Sequence, residues 1–241
     1  MKTITFIAIT LLSGAIAGTT LGILNQAIVE PYIEQAITLE NEKATTEGKI
    51  INPVEFNSYR LWQKGGEIAG GTILGTSIAA LFGIVFAYSR KSVPGSNNKK
   101  KALILAGVMW LVIFLVPALK YPSNPPAVGD PETIYYRQSL YIAYLAISGF
   151  AALGVAFIYR KMGAIRSKKV IASAIYVVIM IAAHLAMPSN PDTITAPMYL
   201  VTGFRIVSAL TMSTFWGIMA IMLGSFWDKT KPHETTKITT V

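Results

Sequence analysis

The residues best suited to metal chemistry lie in a short proline-rich segment. Three oxygen-bearing side chains, Asn124, Asp130 and Glu132, occur there among four prolines and one glycine. Because proline fixes φ, the segment has a defined extended path that could aim these side chains inward. Carboxylate and amide oxygens suit hard or borderline divalent cations. The segment is therefore a candidate metal site, although Asp130 followed by Pro131 could equally cap the next helix.

Three other residues are candidate metal ligands. Glu30 and Glu34 begin an acidic stretch, which would concentrate cations near its surface. His184 is the only histidine in an apolar region. Its imidazole suits cobalt, nickel, copper or zinc, and an ionisable residue at membrane depth is a functional candidate. The alternatives are an ordinary solvated acidic loop and a structural histidine at a helix end.

Three arginines, Arg60, Arg137 and Arg205, precede or begin apolar stretches. They could repel cations or attract anions, but we predict that they pair with acids and fix the geometry of the loops. The candidate partners are Glu30, Asp130, Glu132 and Asp192.

Motifs for covalent catalysis are absent from the sequence. It contains no phosphate-binding loop, no His-Glu-x-x-His, no Gly-x-Ser-x-Gly and no cysteine. We therefore predict that the chain is not an enzyme and holds no permanent cofactor. Work driven by ATP would need another subunit.

Six apolar stretches cover most of the chain, and each is long enough to cross a bilayer. Only 14% of the residues are charged, whereas 53% are hydrophobic. Because backbone polar groups in lipid must be satisfied within the segment, we predict an all-α transmembrane bundle that forms one membrane domain over residues 1–241. The stretches are residues 3–28, 68–88, 102–119, 140–159, 170–187 and 206–226.

The segments between these stretches alternate in charge. One set, including both termini, has 14 basic residues and two acids, and the other set has seven basic residues and ten acids. The positive-inside rule then places both termini, and the tail 227–241, in the cytoplasm. Topology explains the net charge of +9, so we predict a multi-pass protein of the cytoplasmic membrane rather than a nucleic-acid-binding protein.

The six spans are predicted to form three helix hairpins, at residues 3–88, 102–159 and 170–226. The second and third external loops share Pro-Ser-Asn-Pro, at residues 122–125 and 188–191, which indicates a duplicated hairpin. In the first loop, Pro31 is predicted to begin a separate amphipathic helix. Glycines spaced four apart in the first two spans predict close packing of these helices or, alternatively, an oligomer contact.

The whole chain resembles the CbtA-type cobalt transporter subunits. The most specific match is Lys-Tyr-Pro-Ser-Asn-Pro-Pro-Ala-Val-Gly-Asp-Pro at residues 120–131. Further matching pieces lie at residues 15–18, 30–33, 36–40, 83–87, 115–119, 132–134, 188–191 and 204–205. The chain departs from the family pattern after Pro188, where Asn-Glu-x-Pro is expected and Asn190-Pro191-Asp192 stands.

The resemblance implies uptake of Co²⁺, with Ni²⁺ in second place, in a family tied to cobalamin supply. It also implies a small partner, CbtB, with one span and a histidine-rich end, and it carries over no metal ligands. The alternative is a structural or assembly subunit of a larger membrane complex, which the lack of acids and bases in the middle of the spans would favour.

Overall fold

A computed structural model describes residues 2–49, 52–126, 128–163 and 166–233 of the chain. All regular structure in these ranges is helical, which confirms the predicted all-α fold. The helices are α1 (Thr3–Leu24), α2 (Glu30–Thr46), α3 (Pro53–Ser89), α4 (Asn98–Trp110), α5 (Val116–Lys120), α6 (Ile134–Lys161), α7 (Lys168–Ala186) and α8 (Met198–Thr230).

Six helical segments of the described chain are long and apolar enough to cross a membrane, as predicted. Several of these segments are longer than a bilayer requires. The first is 44 residues long, or about 66 Å at 1.5 Å per residue, against about 30 Å of hydrocarbon. Its polar end therefore extends beyond the apolar core. The segments are Thr3–Thr46, Pro53–Ser89, Asn98–Lys120, Pro131–Lys161, Lys168–Ala186 and Met198–Thr230.

Two of these segments contain a π-helical turn just before a proline. Asn25–Val29 joins α1 to α2, and Leu111–Leu115 joins α4 to α5. Proline lacks an N–H, and the wider turn lets the helix continue past it. Pro31 lies in the first turn of α2, as predicted, but the π turn joins α2 to α1, so α2 is not a separate helix. The helix runs on without a break through this proline.

The chain divides into two compact units. Unit 1 comprises residues Met1–Val108 and Tyr199–Val241, and unit 2 comprises Met109–Met198. That the three hairpins form a single membrane domain stays a prediction.

In unit 1, α1 and α3 approach each other through glycine. A Cβ added at Gly71 would come within 2.7 Å of the Gly18 carbonyl oxygen, and one added at Gly14 within 2.5 Å of the Ala79 Cβ. No side chain fits at such distances. The glycine spacing thus serves the packing of these two helices, while an added Cβ at Gly70 would meet nothing within 4 Å.

At the predicted cytoplasmic end of unit 1, α8 packs against α1 and α3 and is hydrogen-bonded to α4. Trp227 is fully buried and packs edge-on against Phe6 and Phe86. The next residue, Asp228, accepts hydrogen bonds from the Asn98 amide at 3.2 Å and the Lys99 amide at 3.3 Å, and so caps the first turn of α4. These contacts hold the basic ends of several helices together.

In unit 2, α6 packs against α5 with its π turn and against α7. A buried cluster of Tyr121, Leu140, Tyr144 and Met180 fills the space between them. The Tyr121 and Tyr144 rings meet edge to face, with centroids 5.8 Å apart. This cluster supports the two proline-rich loops of the unit.

Candidate functional site

Asp192 is the centre of a polar cluster in unit 2, which we call the loop junction (Asp130, Thr133, Arg137, Asn190 and Asp192). Its side chain is only 6% exposed, and Arg137 Nε lies 2.8 Å from its Oδ2. The Thr133 hydroxyl donates to Oδ1 at 2.8 Å, and the Asp130 amide donates to Oδ2 at 3.2 Å. The buried charge is therefore paired and hydrogen-bonded, as burial of a carboxylate requires.

The proline-rich loop positions two of the donors to Asp192, the Thr133 hydroxyl and the Asp130 amide. Asp130 Oδ1 accepts from the Glu132 amide at 2.9 Å and caps a 3₁₀ turn, Pro131–Thr133, that leads into α6. Gly129 has φ +101°, and an added Cβ there would contact the Asp192 carboxylate and the Arg137 guanidinium. Glycine is thus required both by conformation and by space.

The other Pro-Ser-Asn-Pro loop presents Asp192 itself. Asn190 Oδ1 accepts from the Asp192 amide at 3.0 Å, which is a local Asx turn. The Tyr121 hydroxyl donates to the Pro188 carbonyl at 2.6 Å, and Lys120 Nζ donates to the His184 carbonyl at 2.8 Å. Burial raises the pKa of the Tyr121 phenol. The two repeated loops are therefore joined to each other by side chains.

The predicted metal ligands of unit 2 occupy different surroundings. Asp130 and Glu132 are exposed, with one Asp130 oxygen engaged in the cap. Asn124 is half-buried and the His184 side chain is exposed. Within the described ranges, no three His, Cys, Asp or Glu residues are grouped so that they could hold a metal ion. Their role as ligands stays a prediction.

A second polar cluster lies in unit 1, and we call it the ion-pair cluster (Glu30, Glu34, Arg60 and Lys64). Arg60 forms an ion pair with Glu30 Oε1, and Lys64 Nζ lies 3.4 Å from the same oxygen and 2.5 Å from Glu34 Oε1. The Glu30 and Arg60 side chains are 10% and 14% exposed. Among these four residues two acids meet two bases, so their charges balance.

The predicted arginine pairs are present in two cases. Arg60 pairs with Glu30 and Arg137 with Asp192. Arg205 lies on α8 and is partly buried. The three arginines thus lie on α3, α6 and α8, and two of them fix a neighbouring segment of their own unit.

Sequence reasoning missed the central position of Asp192, and it missed Thr133 and Tyr121 entirely. The available signal was Asn190 followed by Pro191, because an asparagine in a turn can accept a hydrogen bond from the backbone amide two residues on, which here belongs to Asp192.

Comparison with known protein families gave a match over nearly the whole chain. The model described as "Probable cobalt transporter subunit (CbtA)" matches residues 3–228. Searches of curated proteins and of solved structures found no match.

Proposed function

The chain belongs to the CbtA family of probable cobalt transporter subunits, and from this premise we propose that it carries Co²⁺ inward across the cytoplasmic membrane. Ni²⁺ is the second candidate cargo, and cobalamin synthesis is the proposed use of the cobalt. The observation that carries the proposal is the family match over residues 3–228 on a multi-pass chain with six helices able to span a membrane.

The first step of the proposed mechanism is attraction of the cation to the outer surface. Glu30 and Glu34 are balanced by Arg60 and Lys64, so they contribute little net charge. Exposed acids farther from the apolar stretches are better placed to concentrate cations by their field. These are Glu40, Glu42, Glu55 and Glu132.

The second step is partial loss of the hydration shell at the proline-rich loop. Asp130, a member of the loop junction, and Glu132 are exposed, and Asn124 lies in the same loop. Oxygen ligands of this kind would replace some of the water around a divalent ion. A membrane potential that is negative inside would then drive the ion inward, by about 2.3 kcal/mol per charge per 100 mV.

Partner subunits are part of the proposal, because the family is one of transporter subunits. We propose a small single-span partner with a histidine-rich end, of the CbtB type, which would supply the imidazoles that this chain lacks. The chain has only two histidines. A homo-oligomer would use surfaces other than the glycine contact of α1 with α3, which is already occupied.

A structural or assembly subunit is the second candidate function. It is favoured by the pairing of the best-buried acids, Glu30 and Asp192, with arginines. It is also favoured by the lack, within the described ranges, of a group of acids and histidines suited to metal.

Cobalt accumulation in cells separates these two functions. Four sets of cells are given CoCl₂, and initial uptake is measured. They carry neither gene, this chain alone, a single-span histidine-rich partner alone, or both. We expect the chain to raise uptake, most strongly with the partner. Uptake that depends on the partner but not on this chain would support the assembly role instead.

A further inference from the structure

The backbone carbonyl of Val112 has no helical partner at either usual position. In the π turn, the Val116 amide donates to the Leu111 carbonyl, five residues back. The amide four residues after Val112 is therefore already engaged. The residue five after it is Pro117, which has no N–H. The sequence thus creates a free carbonyl inside an apolar segment, where an unsatisfied polar group is costly.

One hydroxyl from a neighbouring helix bonds this carbonyl, and a hydroxyl from a third helix bonds the first hydroxyl. Ser148 Oγ on α6 donates to the Val112 oxygen at 2.6 Å, and it lies 2.7 Å from the Tyr176 hydroxyl on α7. Because the single serine proton goes to the carbonyl, Tyr176 must be the donor in the second bond. Three helical segments of unit 2 therefore contribute one oxygen each to a single chain of hydrogen bonds.

Each of these three oxygens keeps a lone pair that this series of hydrogen bonds does not use. A carbonyl and a hydroxyl oxygen each have two acceptor positions. The two hydrogen bonds use one acceptor position of Val112, one of Ser148 and none of Tyr176. The cluster is satisfied as a hydrogen-bond network and can still offer oxygen ligands. It does so without any formal charge.

The cluster lies at the middle of the membrane-spanning part of the chain. Ser148 is fully buried and central in the 28-residue helix α6, about 20 Å from each end. Transporters often bind their cargo near this depth, where a helix is broken or unwound. The π turn beside Val112 is such an irregularity, and π turns often occur at functional sites.

Further hydroxyls lie between this cluster and the outer loop that contains Pro188. The Tyr144 hydroxyl donates to the Met180 carbonyl at 3.3 Å, and the ring of Tyr144 meets that of Tyr121. Tyr121 in turn donates to Pro188 in the outer loop. Polar atoms thus occur at successive depths from the loop to Ser148, all within unit 2.

We propose that the Val112 carbonyl and the Ser148 and Tyr176 hydroxyls form a transit site for a partly hydrated divalent cation. This inference rests on the proposed transport function and deepens it. A neutral oxygen site binds such an ion weakly, and conduction requires binding that is favourable yet easily released. Waters retained by the ion complete its coordination, as is usual for hard cations.

The competing explanation is that the three groups only hold the helices together. Hydrogen bonds between helices are common in membrane proteins and contribute to their packing. Both explanations predict that loss of the hydroxyls lowers thermal stability. Only the transit site predicts a lower rate of metal uptake per folded molecule.

The test uses chromosomal replacement, so that every partner subunit remains present. The variants are Ser148→Ala, Tyr176→Phe and their combination, and initial CoCl₂ uptake is normalised to the folded protein in the membrane. Tyr141→Phe is the matched control, because Tyr141 packs against the same core but is not part of the hydrogen-bond chain. A deletion strain gives the background.

We expect the combined variant to lose about tenfold or more in rate, as the loss of two oxygen contacts implies, and the control to stay within about twofold. Tyr176→Phe creates no large cavity, so it reports on the site even if Ser148→Ala folds poorly. Wild-type rates in the combined variant, with uptake still dependent on the gene, would overturn the transit site alone. Equal uptake in wild-type and deletion strains would overturn the proposed function as well.

Discussion

Arg137 and Asp192 join two copies of the same tetrapeptide loop. Arg137 Nε on α6 lies 2.8 Å from Asp192 Oδ2, and each residue follows one of the Pro-Ser-Asn-Pro segments. The ion pair is reinforced by Thr133 and by the Asp130 amide. The two loops that share this tetrapeptide thus meet at one junction, in which they play different parts.

Asp192→Asn is expected to destabilise unit 2 strongly. The substitution keeps the volume but leaves the Arg137 guanidinium, which is 23% exposed, without its counter-charge. Loss of one partner of a largely buried pair costs about 2–4 kcal/mol, allowing for some solvent screening. Thermal unfolding of the purified protein measures the loss. Glu132→Gln removes an exposed acid nearby and should leave the unfolding temperature unchanged. Equal stability of the two variants would refute the junction.

The double variant Asp130→Asn with Glu132→Gln tests the predicted metal site. If these oxygens take part in cobalt handling, cobalt accumulation should fall sharply while expression and membrane insertion persist. If they act only in capping, stability should fall by about 1 kcal/mol at most, because asparagine caps helices as well as aspartate. Uptake at the wild-type rate in a well-expressed variant would move the search to Glu30, Glu34 and His184.

Much of the fold could be predicted from the sequence because membrane physics constrains it tightly. Length and apolarity alone identify six spans, and the glycine spacing in residues 14–22 and 71–79 identifies the contact of α1 with α3. The continuity of α1 with α2 before Pro31 was not predicted, and it has a local cause. A proline inside a helix normally ends or kinks it, but a π turn absorbs it, and no sequence period reports such a turn.

The polar sites were harder to predict because their partners are far apart in sequence. Asp130 and Arg137 were visible as candidates, but Asp192 follows 55 residues after Arg137. Its central role depends on how two loops meet. Ser148 and Tyr176 look like ordinary residues of apolar stretches. Only the three-dimensional arrangement shows that Ser148 bonds the Val112 carbonyl and that Tyr176 bonds Ser148.

The glycine contact between α1 and α3 should tolerate no added methyl group. We expect Gly71→Ala to destabilise the protein by about 1–3 kcal/mol, because its Cβ would overlap the backbone of α1. Gly70→Ala is the matched control on the neighbouring residue, where a Cβ meets nothing and alanine favours the helix. Unfolding temperatures that fall equally in both variants would contradict this packing.

The predicted topology can be tested with single cysteines, since the chain has none of its own. Ser123 and Ser96 are both exposed, on loops that the charge pattern assigns to opposite sides. An impermeant thiol reagent added outside intact cells should label Ser123→Cys and spare Ser96→Cys until the cells are opened. Labelling of Ser96→Cys in intact cells would show that the predicted orientation is wrong.

Purified protein in liposomes tests the central claim most directly. The chain is reconstituted with and without a single-span histidine-rich partner, around a metal-sensitive dye, and CoCl₂ is added outside under an inside-negative potential. Co²⁺ influx should exceed that of empty liposomes and rise with the potential, since each ion carries two charges down the field. Influx no faster than in empty liposomes, with the partner present and the protein folded, would contradict a transport role.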